Sequence, residues 1–212
     1  MMTRRIVCMA LASVVCSVAA DGQRKAQATF GVKGGVVIAS VSGADRENFD
    51  KSLVGFAAGG FLSVKLASRF ALQPELYLVQ KGAKAEASDL TGQVRITFIE
   101  VPVLAKFIVP TQSSQAKPYF YGGPAIAFRS GCNAKLTAEG TSISSSCDDG
   151  EIRVKSTDFS FLLGAGVEIG RALVEARYDL GLSKLGDDPE GSNDVKSRAL
   201  YLQVGWSFKT AR

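Results

Sequence analysis

The chain has 212 residues, 22 of them glycine, with 25 Lys plus Arg against 20 Asp plus Glu and no histidine. Its length suits one barrel or sandwich domain as well as two small ones, and a glycine share above the usual ~7% argues against long helices, which glycine destabilises. Most of the net charge of +5 sits early, since Arg4, Arg5, Arg24 and Lys25 against Asp21 fall in the first 28 residues and leave +2; that near-neutral remainder excludes the clustered basic face that nucleic-acid binding needs.

Residues 1–28 read as a cleavable signal peptide. Arg4 and Arg5 give a positive start, and Ile6 to Ala20 is an apolar run with small residues toward its end. Cleavage is expected after Ala20 or after Ala28. An apolar run of about 15 residues is short for a spanning helix, which needs about 20. Cys8 and Cys16 leave with this segment. Cys132 and Cys147 remain as an even pair in an exported chain, where a disulfide persists. The chain has no C-x-x-C spacing.

The remainder, 29–212, alternates apolar and polar residues over segments of about 10–13 positions, the period of a strand rather than a helix. Eight strands are predicted in order: 29–41, 55–66, 70–82, 95–109, 117–130, 157–169, 172–184 and 198–209. In the third, Phe70, Leu72, Leu76 and Leu78 share one face and Gln73, Glu75, Tyr77 and Lys81 the other. In the sixth, Phe159, Phe161, Leu163, Ala165, Val167 and Ile169 oppose Asp158, Ser160, Gly164, Gly166 and Glu168. In the seventh, Val174, Ala176, Tyr178, Leu180 and Leu182 oppose Glu175, Arg177, Asp179 and Ser183.

Connectors between these strands alternate in length. The long ones are 42–54, 83–94, 131–156 and 185–197; the short ones are 67–69, 110–116 and 170–171. Short periplasmic turns and long external loops give a transmembrane barrel this pattern. Backbone in hydrocarbon must pair internally, so only a closed barrel lets strands span lipid. The apolar face then looks outward and the charged one inward. The expected lumenal network is Lys33, Lys65, Glu75, Glu100, Lys106, Glu168, Glu175, Arg177 and Asp179, four cations against five anions. Arg177 has Glu175 and Asp179 at i±2 on its own strand, and is expected to pair with one of them or with Glu168. In the last strand Leu200, Leu202, Val204, Trp206 and Phe208 alternate on one face, with aromatics where an interface belt belongs.

Several segments resemble the PorT-like outer-membrane β-barrel family: Phe30-Gly-Val-Lys-Gly-Gly35, Phe70-Ala-Leu-Gln-Pro-Glu-Leu-Tyr77, Ile99-Glu-Val-Pro-Val-Leu-Ala-Lys106, Gly122-Gly-Pro124, Leu163-Gly-Ala-Gly-Val-Glu168, Val174-Glu-Ala-Arg-Tyr-Asp-Leu-Gly181 and Trp206-Ser-Phe208. The likeness runs in order along nearly all of 29–212. It implies an eight-stranded outer-membrane barrel and little about activity. The segment between Cys132 and Cys147 is not part of it.

Sharper chemistry finds little footing. Without histidine there is no Ser-His-Asp or Cys-His arrangement and no His-ligated metal. Gly164-x-Gly166 followed by Gly170 has the wrong spacing for a dinucleotide fingerprint and leads into a strand, not a helix; close strand packing explains it better. The acidic clusters at Asp148, Asp149 and Glu151, and at Asp187, Asp188, Glu190 and Asp194, do not match a calcium loop and read as solvated external loops. Paired interior carboxylates suggest hydrolysis, but near-balanced charge in a lumen of this width reads as an ion-paired plug.

The expectation is therefore an all-β, eight-stranded antiparallel up-and-down transmembrane β-barrel in the bacterial outer membrane, with a structural or binding role. A small channel is the alternative; a lipid-modifying enzyme and a soluble ligand-binding barrel stand further off. No catalytic, cofactor or metal residue is assigned. Outer-membrane lipid is the expected surrounding, nucleic acid is excluded as a partner, a monomer is expected, and the residues do not name the partner of the external loops.

Overall fold

Alternation at period two places every second side chain on one surface, and a sheet with one fully apolar surface must hide or solvate it in something other than water. The computed structural model describes residues 27–42, 51–87, 90–112, 115–138, 141–146, 156–184 and 196–209. Residues 1–26 of the expected signal segment, the seven loop acids named above and Cys147 lie outside these residues. The described residues form nine strands: β1 (Ala28–Ser42), β2 (Lys51–Lys65), β3 (Phe70–Ala87), β4 (Leu90–Ile108), β5 (Ala116–Ala138), β6 (Thr141–Ser146), β7 (Thr157–Ile169), β8 (Ala172–Lys184) and β9 (Lys196–Lys209).

Eight of them close a ring. Neighbours run β1-β2-β3-β4-β5-β7-β8-β9, every pair antiparallel, and β9 returns to β1 from Thr29↔Lys209 to Ser42↔Lys196. Closure leaves the ring without an edge. The ninth strand, β6, pairs with β5 alone, from Asn133↔Ser146 to Ala138↔Thr141, beyond the ring.

The outer surface is apolar. Phe30, Val36, Leu76, Phe120, Phe161 and Val204 are all exposed there, which in water would be a severe liability and in hydrocarbon is the favourable arrangement. Phe30 stacks on Phe208 at 5.4 Å across the β1-β9 seam, and Phe70 meets Phe107 at 5.0 Å. Both pairs sit near the end of the barrel that carries the short connectors, where an aromatic belt meets the interface.

Those connectors are tight. Leu66 and Ala67 donate their backbone N–H groups to Phe70 O, and Val109 N donates to Pro118 O. Between β7 and β8, Gly170 occupies the first central position of a two-residue turn with φ of 65°, the sign that hairpin turns of this length demand. By the usual sidedness of such barrels this end faces the periplasm.

At the opposite end the structure departs from the expected strand limits. Residues 83–94 and 131–156 were expected as loops, yet β3 and β4 pair as far as Ala87↔Leu90, and β5 runs on to Ala138 before β6 returns along it. Outward residues change there from Leu78, Ile99 and Phe128 to Gln80, Arg95 and Lys135. Backbone pairing continues after the need for an apolar face has ended, so the hydropathy signal stops before the strand does.

Candidate functional site: the charged lumen

The inner surface is crowded with ionisable groups that have almost no contact with solvent. Lys33, Glu75, Lys81, Glu100, Lys106, Asp158, Glu175, Arg177 and Asp179 are all buried. Removing charges from water is tolerable only when each finds a close partner, and the geometry shows how this is met.

The first cluster spans β1, β3, β5 and β8. Lys33 Nζ donates to Glu75 Oε1 at 2.9 Å and to both oxygens of Glu175 at 2.7 and 2.9 Å. Arg177 Nη2 donates to Glu75 Oε2 at 2.6 Å, and Gln73 Nε2 to Glu75 Oε1 at 2.7 Å. Tyr119 and Tyr121 hydroxyls donate to Glu175 at 2.6 and 3.2 Å. The Arg177 guanidinium also lies over the Tyr77 and Tyr121 rings, 5.2 and 5.3 Å from their centroids. Two cations thus meet two anions inside an aromatic cage.

A second cluster joins β3, β4, β8 and β9. Lys81 Nζ donates to Glu100 Oε2 at 3.1 Å and makes a short contact to Asp179 Oδ2. The Tyr201 hydroxyl stands 3.3 Å from Asp179 Oδ2 and 3.4 Å from Glu100 Oε2. Here one cation serves two carboxylates. Asp158 accepts a hydrogen bond from Ser183 Oγ.

The expected network is therefore brought together in part. Lys33, Glu75, Glu100, Glu175, Arg177 and Asp179 lie in the two clusters. Lys106 is buried over the Tyr119 ring at 3.6 Å, with Glu168 at the limit of an ion pair, 4.0 Å away. Glu168 is only partly buried. Lys65 is corrected: it has inward parity but ends β2, is exposed, and donates to Gln27 Oε1 at 3.3 Å. Arg177 pairs with one of its expected partners, Glu175, at 3.8 Å, and makes its shorter bond to Glu75 on the far wall, which was not among them.

Residues outside the expected network complete it. Lys81 and Asp158 carry the right parity, as the alternation of their strands already indicated, and Tyr119, Tyr121 and Tyr201 supply hydroxyls. The β7 glycines make room for these rings: a Cβ at Gly164 would stand 2.4 Å from Tyr121 Cζ, and one at Gly166 2.7 Å from the Tyr119 hydroxyl. Among the described residues no three acidic or cysteine side chains are grouped so as to hold a metal ion.

A closed antiparallel ring, apolar outside and ion-paired within, defines a membrane-spanning β-barrel. The chain belongs to the outer membrane protein beta-barrel domain family, whose model matches residues 19–187, and it is a protein of the bacterial outer membrane. Similar solved structures include Ail, the attachment invasion locus protein of Yersinia pestis, at 19% identity over 86% of this chain and 99% of that one, with a TM-score of 0.46. Neisserial surface protein A is 17% identical over 86% and 99%, TM-score 0.47, and OprG from Pseudomonas aeruginosa is 12% identical over 90% and 100%, TM-score 0.45. No curated protein sequence matches the chain.

Proposed function

We propose that this is a non-enzymatic barrel, monomeric in the membrane, whose lumen is plugged by its own side chains and whose role is to hold an external β-sheet and loops for binding. The observation that carries the reading is the pair of buried clusters crossing the lumen, with Arg177, Glu100 and Asp179 at 0–1% exposure. An eight-stranded ring leaves space for side chains rather than a wide pore. Strands β3 to β6 meanwhile continue past the apolar belt and build a sheet beyond it. The chain has no histidine, which counts against a lipid hydrolase built on a His base.

A narrow conduit is the second reading, and one observation favours it. Tyr77 OH, Glu100 Oε1, Arg177 Nη1, Asp179 Oδ1 and both amide atoms of Gln203 are buried without a hydrogen-bond partner. Such groups are ordinarily satisfied by water, and a thread of water is the start of a path. Planar-bilayer recording decides between the two. The plugged barrel gives no steady conductance; a stable open channel of porin size overturns the plug and promotes transport.

Three narrower readings belong to the same proposal. The N-terminal segment directs export and is removed, with cleavage after Ala20 or after Ala28, and within the family the chain stands with the PorT-like members. Cys132 and Cys147 form a disulfide that ties β5 to the return of its hairpin. Cys132 is buried and lies on β5 next to Asn133, which pairs with Ser146 at the end of β6.

A further inference from the structure

Just beyond the apolar belt, cations line up across neighbouring strands. The register runs Lys51↔Lys84, Lys84↔Gln93 and Gln93↔Lys135, so three lysines occupy one row from β2 to β5. One step nearer the belt, Arg95 is paired in register with Gly82 and Asn133 and is exposed. It shares the outward parity of Ile99 and Val103, the apolar residues below it on β4.

Neutral amides hold the Arg95 guanidinium. Nη1 donates to Gln80 Oε1 at 3.3 Å, and with the Gln93 amide oxygen assigned toward it, Nε and Nη2 donate at 2.6 and 2.9 Å. Among the described residues no carboxylate forms an ion pair with Arg95 or Lys135. Glu86 stands in a row further out, opposite Thr91. Exposed charges are ordinarily a solvated face. Three facts separate this group from that reading: its guanidinium is held by two amides, no carboxylate among the described residues pairs with it, and it sits at the margin of the hydrocarbon.

We propose that Arg95 and Lys135 form a headgroup site for the phosphate of an anionic lipid in the outer leaflet. A guanidinium fixed in place presents parallel donors to a tetrahedral oxyanion, and cations at a membrane surface draw anionic headgroups over about a Debye length. A lipid bound here lays its acyl chains down over Leu78, Ile99 and Phe128. The site rests on the outer-membrane placement of the barrel and is independent of whether the lumen conducts.

The test uses the full-length barrel refolded in neutral detergent and titrated with bisphosphorylated lipid A, dephosphorylated lipid A or phosphatidylcholine. Bound lipid is counted by native mass spectrometry, and boiled against unboiled migration confirms that each variant is folded. The bisphosphorylated lipid is expected to bind roughly tenfold more tightly than the other two. Arg95→Gln with Lys135→Gln abolishes that preference, whereas Arg69→Gln with Arg171→Gln, at the short-turn end, keeps it. Equal binding of all three lipids by the wild type, or a preference that survives in Arg95→Gln/Lys135→Gln, overturns the site. So does an equal loss in Arg69→Gln/Arg171→Gln, which would mark general charge attraction.

Discussion

Arg177 on β8 and Glu75 on β3 are joined by a 2.6 Å bond across the full width of the barrel, with three strands between them whichever way round the ring one counts. Lys81 and Asp179 link the same two strands. The lumen is thus crossed twice by ion pairs between opposite walls.

Arg177→Ala should be among the most damaging single substitutions in the chain. It strands Glu75 and Glu175 with Lys33 as their sole remaining close cation, and breaking a buried pair typically costs about 3–5 kcal/mol. Arg69→Ala, in an exposed turn, should change stability by less than about 0.5 kcal/mol. Equilibrium unfolding in lipid vesicles measures both; comparable losses would show that water reaches Arg177.

The second cluster has a different stoichiometry, so it should respond asymmetrically. Lys81→Met leaves Glu100 and Asp179 facing each other without a cation and should cost about 3–5 kcal/mol. Glu100→Gln removes one of two acids that share that cation and should be tolerated within about 1 kcal/mol, since it relieves repulsion as it loses a bond. A Glu100→Gln barrel as unstable as Lys81→Met would contradict this sharing.

Gly164 and Gly131 offer a paired steric test. A Cβ at Gly164 meets the Tyr121 ring and hydroxyl at 2.4 and 2.5 Å, whereas one at Gly131 meets nothing within 4 Å. Overpacking costs about 1–3 kcal/mol, so Gly164→Ala should destabilise by that amount and push Tyr121 off Glu175 and Arg177. Gly131→Ala should be close to neutral. The same unfolding assay reads both.

For the cysteines, intact mass before and after reduction is decisive: the gain of two hydrogens is expected. The bond closes a loop of 16 residues counting both ends, for which chain entropy gives about 3 kcal/mol. Its effect should appear in the hairpin, as faster proteolysis after reduction, with the ring left intact. No mass change would refute the bridge.

The ring itself was legible in the sequence because lipid imposes a strict period of two on everything that crosses it, and Phe159 to Ile169 or Leu200 to Phe208 could face only one way. For the lumen, Lys65 shows the limit of parity: the pattern says which wall a residue faces, not how far along the barrel it sits. The trans-lumen choice of Arg177 was not readable, because Glu175 and Asp179 are its neighbours in sequence while Glu75 is its neighbour only once the ring is closed. Strand β6 was hidden for another reason. Thr141 to Ser146 has no apolar face to announce it, and its pairing with β5 rests on the backbone ladder and a Thr137–Ser142 hydroxyl contact.

The position of the two crossings also sets a timetable. Strands β3 and β8 lie half a turn apart, so neither Arg177 to Glu75 nor Lys81 to Asp179 can form while the sheet is still open. Until β1 and β9 meet, the inner face remains charged and hydrated, and an unsealed sheet has no stable dry state. Pairing along the seam from Thr29↔Lys209 to Ser42↔Lys196 brings the opposite walls within reach of each other. The buried charges therefore act late in assembly, penalising every incomplete ring and rewarding only the finished one.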